Sequence, residues 1–130
     1  MSFVYLDTSV ALAYLLAEDE TPPSSLWHED LISSRLLEYE VWNRVHAYKL
    51  DSVTQDAVRK LIGRVSLVEL VSPILDRAKE SYPAPVRTLD ALHLATILFL
   101  QEHDQSIRVA TYDSGLKKAA QKLRLALYAL

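Results

Sequence analysis

Four acidic positions stand out because each adjoins a segment that the sequence predicts to be regular. Asp7 directly follows an apolar run, Asp113 comes two residues after another, and Asp90 falls in a helix that is apolar nearly all round. Taken singly, Asp7 and Asp113 are explained as helix caps. Asp90 is harder to explain, because a carboxylate on a buried helix is costly unless it is paired or binds a metal. Glu38 or Glu40 supplies a fourth acid.

Both glutamates belong to a helix predicted from Arg35 to Lys49. At about 100° per residue, the apolar side chains of this helix form one stripe. Glu38 borders one edge of the stripe and Glu40 borders the other, so periodicity does not choose between them. Arg44, four residues after Glu40, favours a surface ion pair as the simplest role of that glutamate. The stripe consists of Leu37, Val41, Val45 and Tyr48.

Several carboxylates that meet in one crevice repel one another strongly. At about 5 Å and an effective dielectric constant near 20, each ionised pair costs roughly 3 kcal/mol. Protons or metal ions must relieve that repulsion. Oxygen ligands without Cys or a His cluster favour Mg²⁺ or Mn²⁺. These ions activate water and neutralise the charge that develops on a phosphodiester.

His93 lies three residues after Asp90, on the same side of the predicted helix. Its chemistry allows a metal ligand or a general base. A histidine in or beside the core, hydrogen-bonded to Asp90 or to the backbone, is the commoner case. The four histidines of the chain show no zinc-ligand spacing.

The elements that position these side chains alternate along the sequence. Strands are predicted at Phe3–Leu6, Leu31–Ser33, Leu67–Val71, Ile107–Thr111 and Ala126–Leu130. Helices are predicted at Val10–Ala17, Arg35–Lys49, Val53–Ile62, from Pro73 onward, from Thr88 to about Glu102, and at Leu116–Leu123, with a loop at Glu18–Ser25. This order predicts an α/β domain in which helices cover both faces of a parallel sheet of four to five strands, giving three layers, α/β/α. Ligands of such sheets bind beyond the carboxyl ends of the strands, so Asp7 and Asp113 share a crevice if their strands are neighbours.

Composition limits the class of protein further. The 130 residues fit a single domain, and the absence of Cys excludes disulfides, thiolate zinc sites and a cysteine nucleophile. No basic leader precedes Asp7, and no apolar stretch approaches the roughly 20 residues of a bilayer span, so a cytoplasmic protein without a membrane segment is expected. The net charge is −3, but residues 114–130 hold four bases and no acid. These bases indicate either the exposed face of a helix or a rim that binds anions.

The candidate residues lie in segments that resemble the motifs of PIN-domain ribonucleases. Tyr5–Ser9 looks like the opening motif, Arg35–Val41 resembles the second, Arg87–Ala95 the third, and Thr111–Asp113 the fourth. The four occur in the family's order and spacing over nearly the whole chain. Within the family, the chain looks most like the VapC-type toxins of bacterial and archaeal toxin–antitoxin pairs.

This resemblance implies a PIN-like fold and an Mg²⁺- or Mn²⁺-dependent endoribonuclease that acts as a toxin. It also implies an RNA substrate, a cognate antitoxin and a homodimer. The implied metal-binding and catalytic set contains Glu40 rather than Glu38: Asp7, Glu40, Asp90 and Asp113. Candidates for contacts with RNA phosphates are Lys117, Lys118 and Arg87.

Two departures from the family pattern are visible. The stretch through Thr21–Pro23 is shorter than is usual in these toxins, which bears on antitoxin contacts. Arg124 and Leu125 stand where many members have Gly after the last helix.

Large apolar side chains crowd the early helices, and they either anchor a partner or complete the core. They are Trp27, Leu36, Tyr39, Trp42 and Tyr48. An antitoxin segment lying across these helices would be able to project an Arg toward the acids in place of the metal.

Two other functions fit a parallel sheet with carboxylates at strand ends. A phospho-acceptor domain needs an Asp at the position of Ser9 in the dehalogenase type, or where Ser72 and Pro73 follow a middle strand in the receiver type. The sequence therefore disfavours that class. The remaining alternative is a catalytically inactive PIN-fold module that binds RNA or protein, which need not bind a divalent metal.

Overall fold

The computed structural model describes residues 1–48 and 51–130. Its helices and strands follow one another as β1 (Ser2–Leu6), α1 (Thr8–Leu15), β2 (Leu31–Ser34), α2 (Leu36–Ala47), α3 (Ser52–Gly63), β3 (Val65–Val68), α4 (Ser72–Ala78), α5 (Thr88–Glu102), β4 (Ser106–Ala110), α6 (Ser114–Lys122) and β5 (Ala126–Leu127). A short 3-10 helix, Ser24–His28, precedes β2. No helix in the described ranges has the length and apolarity to span a bilayer.

The five strands in the described part of the chain are all parallel and lie in the order β3-β2-β1-β4-β5. The central strand is β1, where Tyr5 pairs with Ile32 on one side and with Val109 on the other. Since β1 and β4 are neighbours, the residues that follow them meet at one edge of the sheet. The parallel sheet predicted from the alternation of elements is confirmed.

Helices cover both faces of the sheet, as the alternation of side chains along β1 shows. Val4 and Leu6 belong to a core with α1, α2 and α3. Tyr5 belongs to a second core with α5 and α6 on the opposite face. The three-layer α/β/α prediction is therefore confirmed, and helices from both layers reach the edge of the sheet where β1 and β4 end.

Several predicted boundaries were wrong because the partner of each element sets its length. β3 begins at Val65 rather than at Leu67 and ends at Val68, because it pairs only with the four residues of β2. β5 is limited to two residues, which pair with Arg108 and Val109 of β4. α5 begins at Thr88, as predicted, with Arg87 as its N-cap residue.

Other predicted features also need correction. The predicted loop at residues 18–25 runs into the unpredicted 3-10 helix over Ser24–His28. In the apolar stripe of α2, Leu37 and its two valines are buried, but Tyr48 is 55% exposed. The end predicted for this helix, Lys49, lies outside the described residues.

Among the described residues, three helices are followed by a residue other than Gly in the left-handed conformation. After α6, Arg124 has φ 58°, and the amide of Leu125 donates to the carbonyl of Ala120. Ala17 after α1 and Asp104 after α5 take the same conformation, with φ 49° and 64°. This is the Schellman ending, in which Gly is the favoured residue because it has no Cβ to clash.

Candidate active site

Asp7 is held at the junction of β1 and α1. Its amide donates to the carbonyl of Ala110 (3.0 Å), which fixes it at the carboxyl end of the sheet. Its Oδ2 accepts hydrogen bonds from Ser9 Oγ (2.6 Å) and Thr111 Oγ1 (2.8 Å), and also caps α1 through the amide of Ser9. The side chain is therefore buried at a helix N-terminus, where a negative charge is favoured.

Asp113 caps α6 and is tied to the same network. Its Oδ1 accepts from the amides of Gly115 (2.9 Å) and Leu116 (3.4 Å), while its own amide donates to Thr111 Oγ1 (3.0 Å). Thr111 therefore contacts Asp7 with its hydroxyl and holds the backbone of Asp113. Through this one residue, the ends of β1 and β4 bring two carboxylates together.

Asp90 lies in the first turn of α5, and its side chain is only 16% exposed. Burial raises the pKa of this carboxyl, and the negative charges of Asp113 and Asp7 raise it further. The Arg87 guanidinium opposes the rise. Its Nε lies 3.8 Å from Asp90 Oδ2, and its Nη2 lies 3.6 Å from Asp113 Oδ2. The negative charges of Asp7 and Asp113 thus lie close enough to Asp90 to repel its ionised form.

Glu40 reaches the site from α2. Its Oε1 accepts from Thr8 Oγ1 (2.7 Å) and lies 2.7 Å from Nε2 of His93, which is buried on α5. The simple alternative, an ion pair between Glu40 and Arg44, is absent among the described residues. Glu38 pairs instead with Arg35 on the surface (3.3 Å), so the structure resolves which glutamate turns inward.

His93 has partners other than those expected. Its Nδ1 lies 2.7 Å from the hydroxyl of Tyr5, and its Nε2 contacts Glu40, so the predicted bond to Asp90 or to the backbone is wrong. Burial lowers the pKa of His93, but the hydrogen bond to Glu40 and the charges of the nearby acids outweigh this effect and raise it. Burial also raises the pKa of Tyr5, which therefore keeps its proton.

All four candidate carboxylates line one cavity of about 500 Å³. Two arginines, Arg44 and Arg87, stand at the same cavity. Lys117 lines a different cavity beside Tyr112 and Tyr128, and Lys118 is exposed on α6. The acids and Arg87 were expected from the sequence, and Arg44 was expected only as an ion-pair partner. No local spacing indicates the positioning roles of Tyr5, Thr8, Ser9 and Thr111.

The donor set of this cavity suits a hard divalent cation. Asp7, Glu40 and Asp113 each hold one carboxylate oxygen in hydrogen bonds, whereas the second oxygen accepts none from the residues that the structure describes. Oxygen donors of this kind fit Mg²⁺ or Mn²⁺. Within the described part of the chain, no three Asp, Glu or His side chains converge closely enough to hold one ion together. The residues fit a divalent metal by their chemistry, and ligation requires the carboxylates to move closer.

Comparison with known proteins identifies the family. A family model described as "PIN domain" matches residues 4–122. The chain belongs to the PIN-domain family.

Its relatives within the PIN family include several curated proteins of Mycobacterium tuberculosis. "Ribonuclease VapC35" is 32% identical over 97% of this chain and 96% of its own length. "Ribonuclease VapC46" is 31% identical over 99% of this chain and 98% of its own length. These matches confirm the prediction of a VapC-type PIN protein and of an enzyme of the nuclease class.

The PIN fold itself also has a solved counterpart. A chain from a "Toxin-antitoxin complex from Klebsiella pneumoniae" superposes with a TM-score of 0.59, covering 85% of this chain and 87% of the other. At 16% identity, this likeness supports the fold.

Proposed function

We propose that this PIN protein is an Mg²⁺- or Mn²⁺-dependent endoribonuclease that acts as the toxin of a toxin–antitoxin pair. The observation that carries the proposal is that four carboxylates, from α2 and from the N-terminal ends of α1, α5 and α6, line one cavity. The proposed metal ligands and catalytic residues are Asp7, Glu40, Asp90 and Asp113. RNA as the substrate rests on the ribonuclease names of the curated relatives.

The charges of the cavity are what a metal site requires. Asp90 has a raised pKa partly because Asp113 and Asp7 repel its ionised form. A divalent cation relieves that repulsion, and when bound it would activate water and neutralise the charge that develops on the phosphodiester. Asp7, Asp90 and Asp113 would hold the ion, while Glu40 would complete its surroundings or orient the attacking water. Hydrogen bonds from Ser9 and Thr111 would hold the carboxylate of Asp7 in a fixed orientation for that role.

Cationic side chains beside the acids suit an RNA backbone. Arg44 and Arg87 line the acid cavity, and Lys117 and Lys118 follow Asp113 on α6. Contacts from such residues to phosphates give affinity without reading sequence. We place the scissile phosphate at the four acids and the flanking phosphates on these cations.

The partners follow from the same proposal. A ribonuclease that attacks the RNA of its own cell must be held inactive, and a solved structure of similar fold comes from a toxin–antitoxin complex. Tyr14 on α1 and Tyr39 on α2 are exposed and offer aromatic surface to an antitoxin that lies across these two helices. Homodimer formation and cytoplasmic localisation, where such RNA is present, complete the proposal.

The glutamates of α2 provide a matched test of the carboxylate site. In an RNA cleavage assay with Mn²⁺, Glu40→Gln should lose at least about 100-fold in kcat, as should Asp7→Asn and Asp90→Asn. Glu38→Gln should remain near wild type, since Glu38 pairs with Arg35 outside the cavity. Excess EDTA should abolish cleavage. Full activity of Glu40→Gln or Asp90→Asn, or cleavage in excess EDTA, would contradict the mechanism. A wild-type protein that binds the metal but does not cleave RNA would instead be a catalytically inactive PIN-fold module.

A further inference from the structure

The ring of His93 is bound at both nitrogens. Nδ1 lies 2.7 Å from Tyr5 Oη, and Nε2 lies 2.7 Å from Glu40 Oε1. The ring is 1% exposed and meets the ring of Tyr5 edge to face, with centroids 5.8 Å apart. Three elements, β1, α5 and α2, are thereby joined in one chain of side chains that ends at the acid cavity.

The chemistry of the two partners fixes the direction of these hydrogen bonds. An ionised Glu40 only accepts, so Nε2 of His93 must donate to it. Nδ1 of a neutral ring is then the acceptor for the hydroxyl of Tyr5. The bond to Glu40 also survives protonation of the ring, because both ring nitrogens then donate. In either charge state, His93 donates to Glu40.

Glu40 also receives a hydrogen bond from the first turn of α1. Thr8 Oγ1 donates to the same oxygen of Glu40 that His93 contacts (2.7 Å). A flexible glutamate would lose rotamer entropy whenever it bound a metal. Because Oε1 is fixed by two hydrogen bonds, the side chain of Glu40 is ordered at the cavity that it lines, and this entropic cost is met when the protein folds.

We propose that His93, itself oriented by Tyr5, is the positioning residue that holds Glu40 ready for the metal and the attacking water. This inference rests on the proposed function, because Glu40 needs such support only if it acts at the cavity. His93 does not touch the RNA or the metal. Its effect passes entirely through Glu40, as with residues that orient metal ligands from behind.

The test replaces His93 with two amide residues whose side chains end at the positions of different ring nitrogens. His93→Gln places an amide N–H near the position of Nε2, whereas His93→Asn reaches only as far as Nδ1. Mn²⁺ affinity by calorimetry and RNA cleavage should both fall about 10–100-fold in His93→Asn, with the KM for RNA within about twofold. His93→Gln should recover most of both losses, and Tyr5→Phe should lose less than His93→Asn. His103→Gln, at the exposed end of the same helix, is the control and should match wild type.

Imidazole ¹⁵N spectra provide a readout that needs neither metal nor RNA. The Nε2 signal of wild-type His93 should report a protonated, hydrogen-bonded nitrogen and should shift in Glu40→Ala. An identical signal in both proteins overturns the inference. So do equal losses in folded His93→Gln and His93→Asn, which indicate that the ring merely fills the core. The third outcome is a signal that shifts in Glu40→Ala while the wild-type protein neither binds Mn²⁺ nor cleaves RNA. The contact between His93 and Glu40 then exists, but the proposed function is overturned, and the positioning role with it.

Discussion

Arg87 Nη2 lies 3.6 Å from Asp113 Oδ2, so the chain supplies a cation of its own beside the proposed metal ligands. The same guanidinium approaches Asp90 at 3.8 Å. Its side chain is 83% exposed, and ion pairs as exposed as these contribute little to stability. Arg87 is therefore able to leave the acids when a metal ion or an RNA phosphate arrives.

Replacement of Arg87 should separate metal binding from RNA binding. Arg87→Gln should tighten Mn²⁺ binding by a few-fold at most, because a weak competitor for Asp90 and Asp113 is removed. It should also weaken RNA binding and reduce the slope of log K against log salt by about 0.7. Calorimetry and salt titrations measure the two effects. Arg44→Gln should weaken RNA binding alone, and weaker Mn²⁺ binding by Arg87→Gln would contradict this account.

Asp90→Asn should stabilise the metal-free protein at neutral pH. The folded pKa of Asp90 is raised above its unfolded value of 3.8, so the native state binds this proton more tightly than the unfolded state. Native stability is therefore lost as the pH rises through the folded pKa, and the penalty is carried by the ionised form above it. The variant should unfold at a Tm a few degrees higher at pH 7 and at an equal Tm below the unfolded pKa. An unchanged Tm at pH 7 would indicate that Asp90 carries no penalty.

Saturating Mg²⁺ or Mn²⁺ should raise the Tm of the wild-type protein. An ion present at 100 times its Kd contributes about 2.7 kcal/mol by linkage, or roughly 10 °C in a domain of this size. The rise should follow the logarithm of metal concentration, and it should shrink in Asp90→Asn and persist in Glu38→Gln. Indifference of the wild-type Tm to both ions counts against a shared metal site.

Sequence patterns predicted the fold and the candidate acids because both depend on residues that are close together in the sequence. Alternating strands and helices predicted the parallel sheet, and the position of Asp7 directly after an apolar run placed it at the carboxyl edge. The bounds of β3 were not predictable, because they depend on pairing with the four residues of β2, far away in the chain. Tyr48 fits the helical period of α2 and is nevertheless exposed, because the core ends before it.

The hydrogen-bonding partners inside the site were beyond the reach of sequence patterns. Glu38 and Glu40 flank the same stripe, and only the inward side chain finds Thr8 and His93. His93 and Tyr5 are in contact but lie 88 positions apart in the sequence, so no local spacing predicts their contact. Helical periodicity predicts on which side of a helix a residue lies. Its hydrogen-bonding partner on another element depends on how the layers of the fold pack together.

Arg124→Gly should leave the protein equally stable or more stable. Arg124 sits at φ 58° in the Schellman ending of α6, where a side chain costs about 1–2 kcal/mol relative to a relaxed backbone. Gly removes this strain but costs about 0.5–1 kcal/mol because it has more conformational entropy to lose on folding, so the net gain ranges from zero to about 1.5 kcal/mol. Urea unfolding measures it. Lys118→Gly, inside the same helix, should instead cost about 1 kcal/mol, and equal destabilisation by both changes would refute the argument.

Substitution of Tyr39 should separate antitoxin binding from catalysis. Tyr39 is 65% exposed on α2, next in sequence to Glu40, whereas Trp27 packs against the core and its replacement would disturb the fold. If the cognate antitoxin lies across α1 and α2, Tyr39→Glu should weaken the complex by at least about tenfold, since aromatic anchors dominate interfaces of this kind. Cleavage by the free protein should stay within about twofold, and Leu75→Glu, an exposed apolar position on α4, should leave the complex intact. Tight binding of Tyr39→Glu, or equal weakening by both variants, would place the antitoxin on another surface.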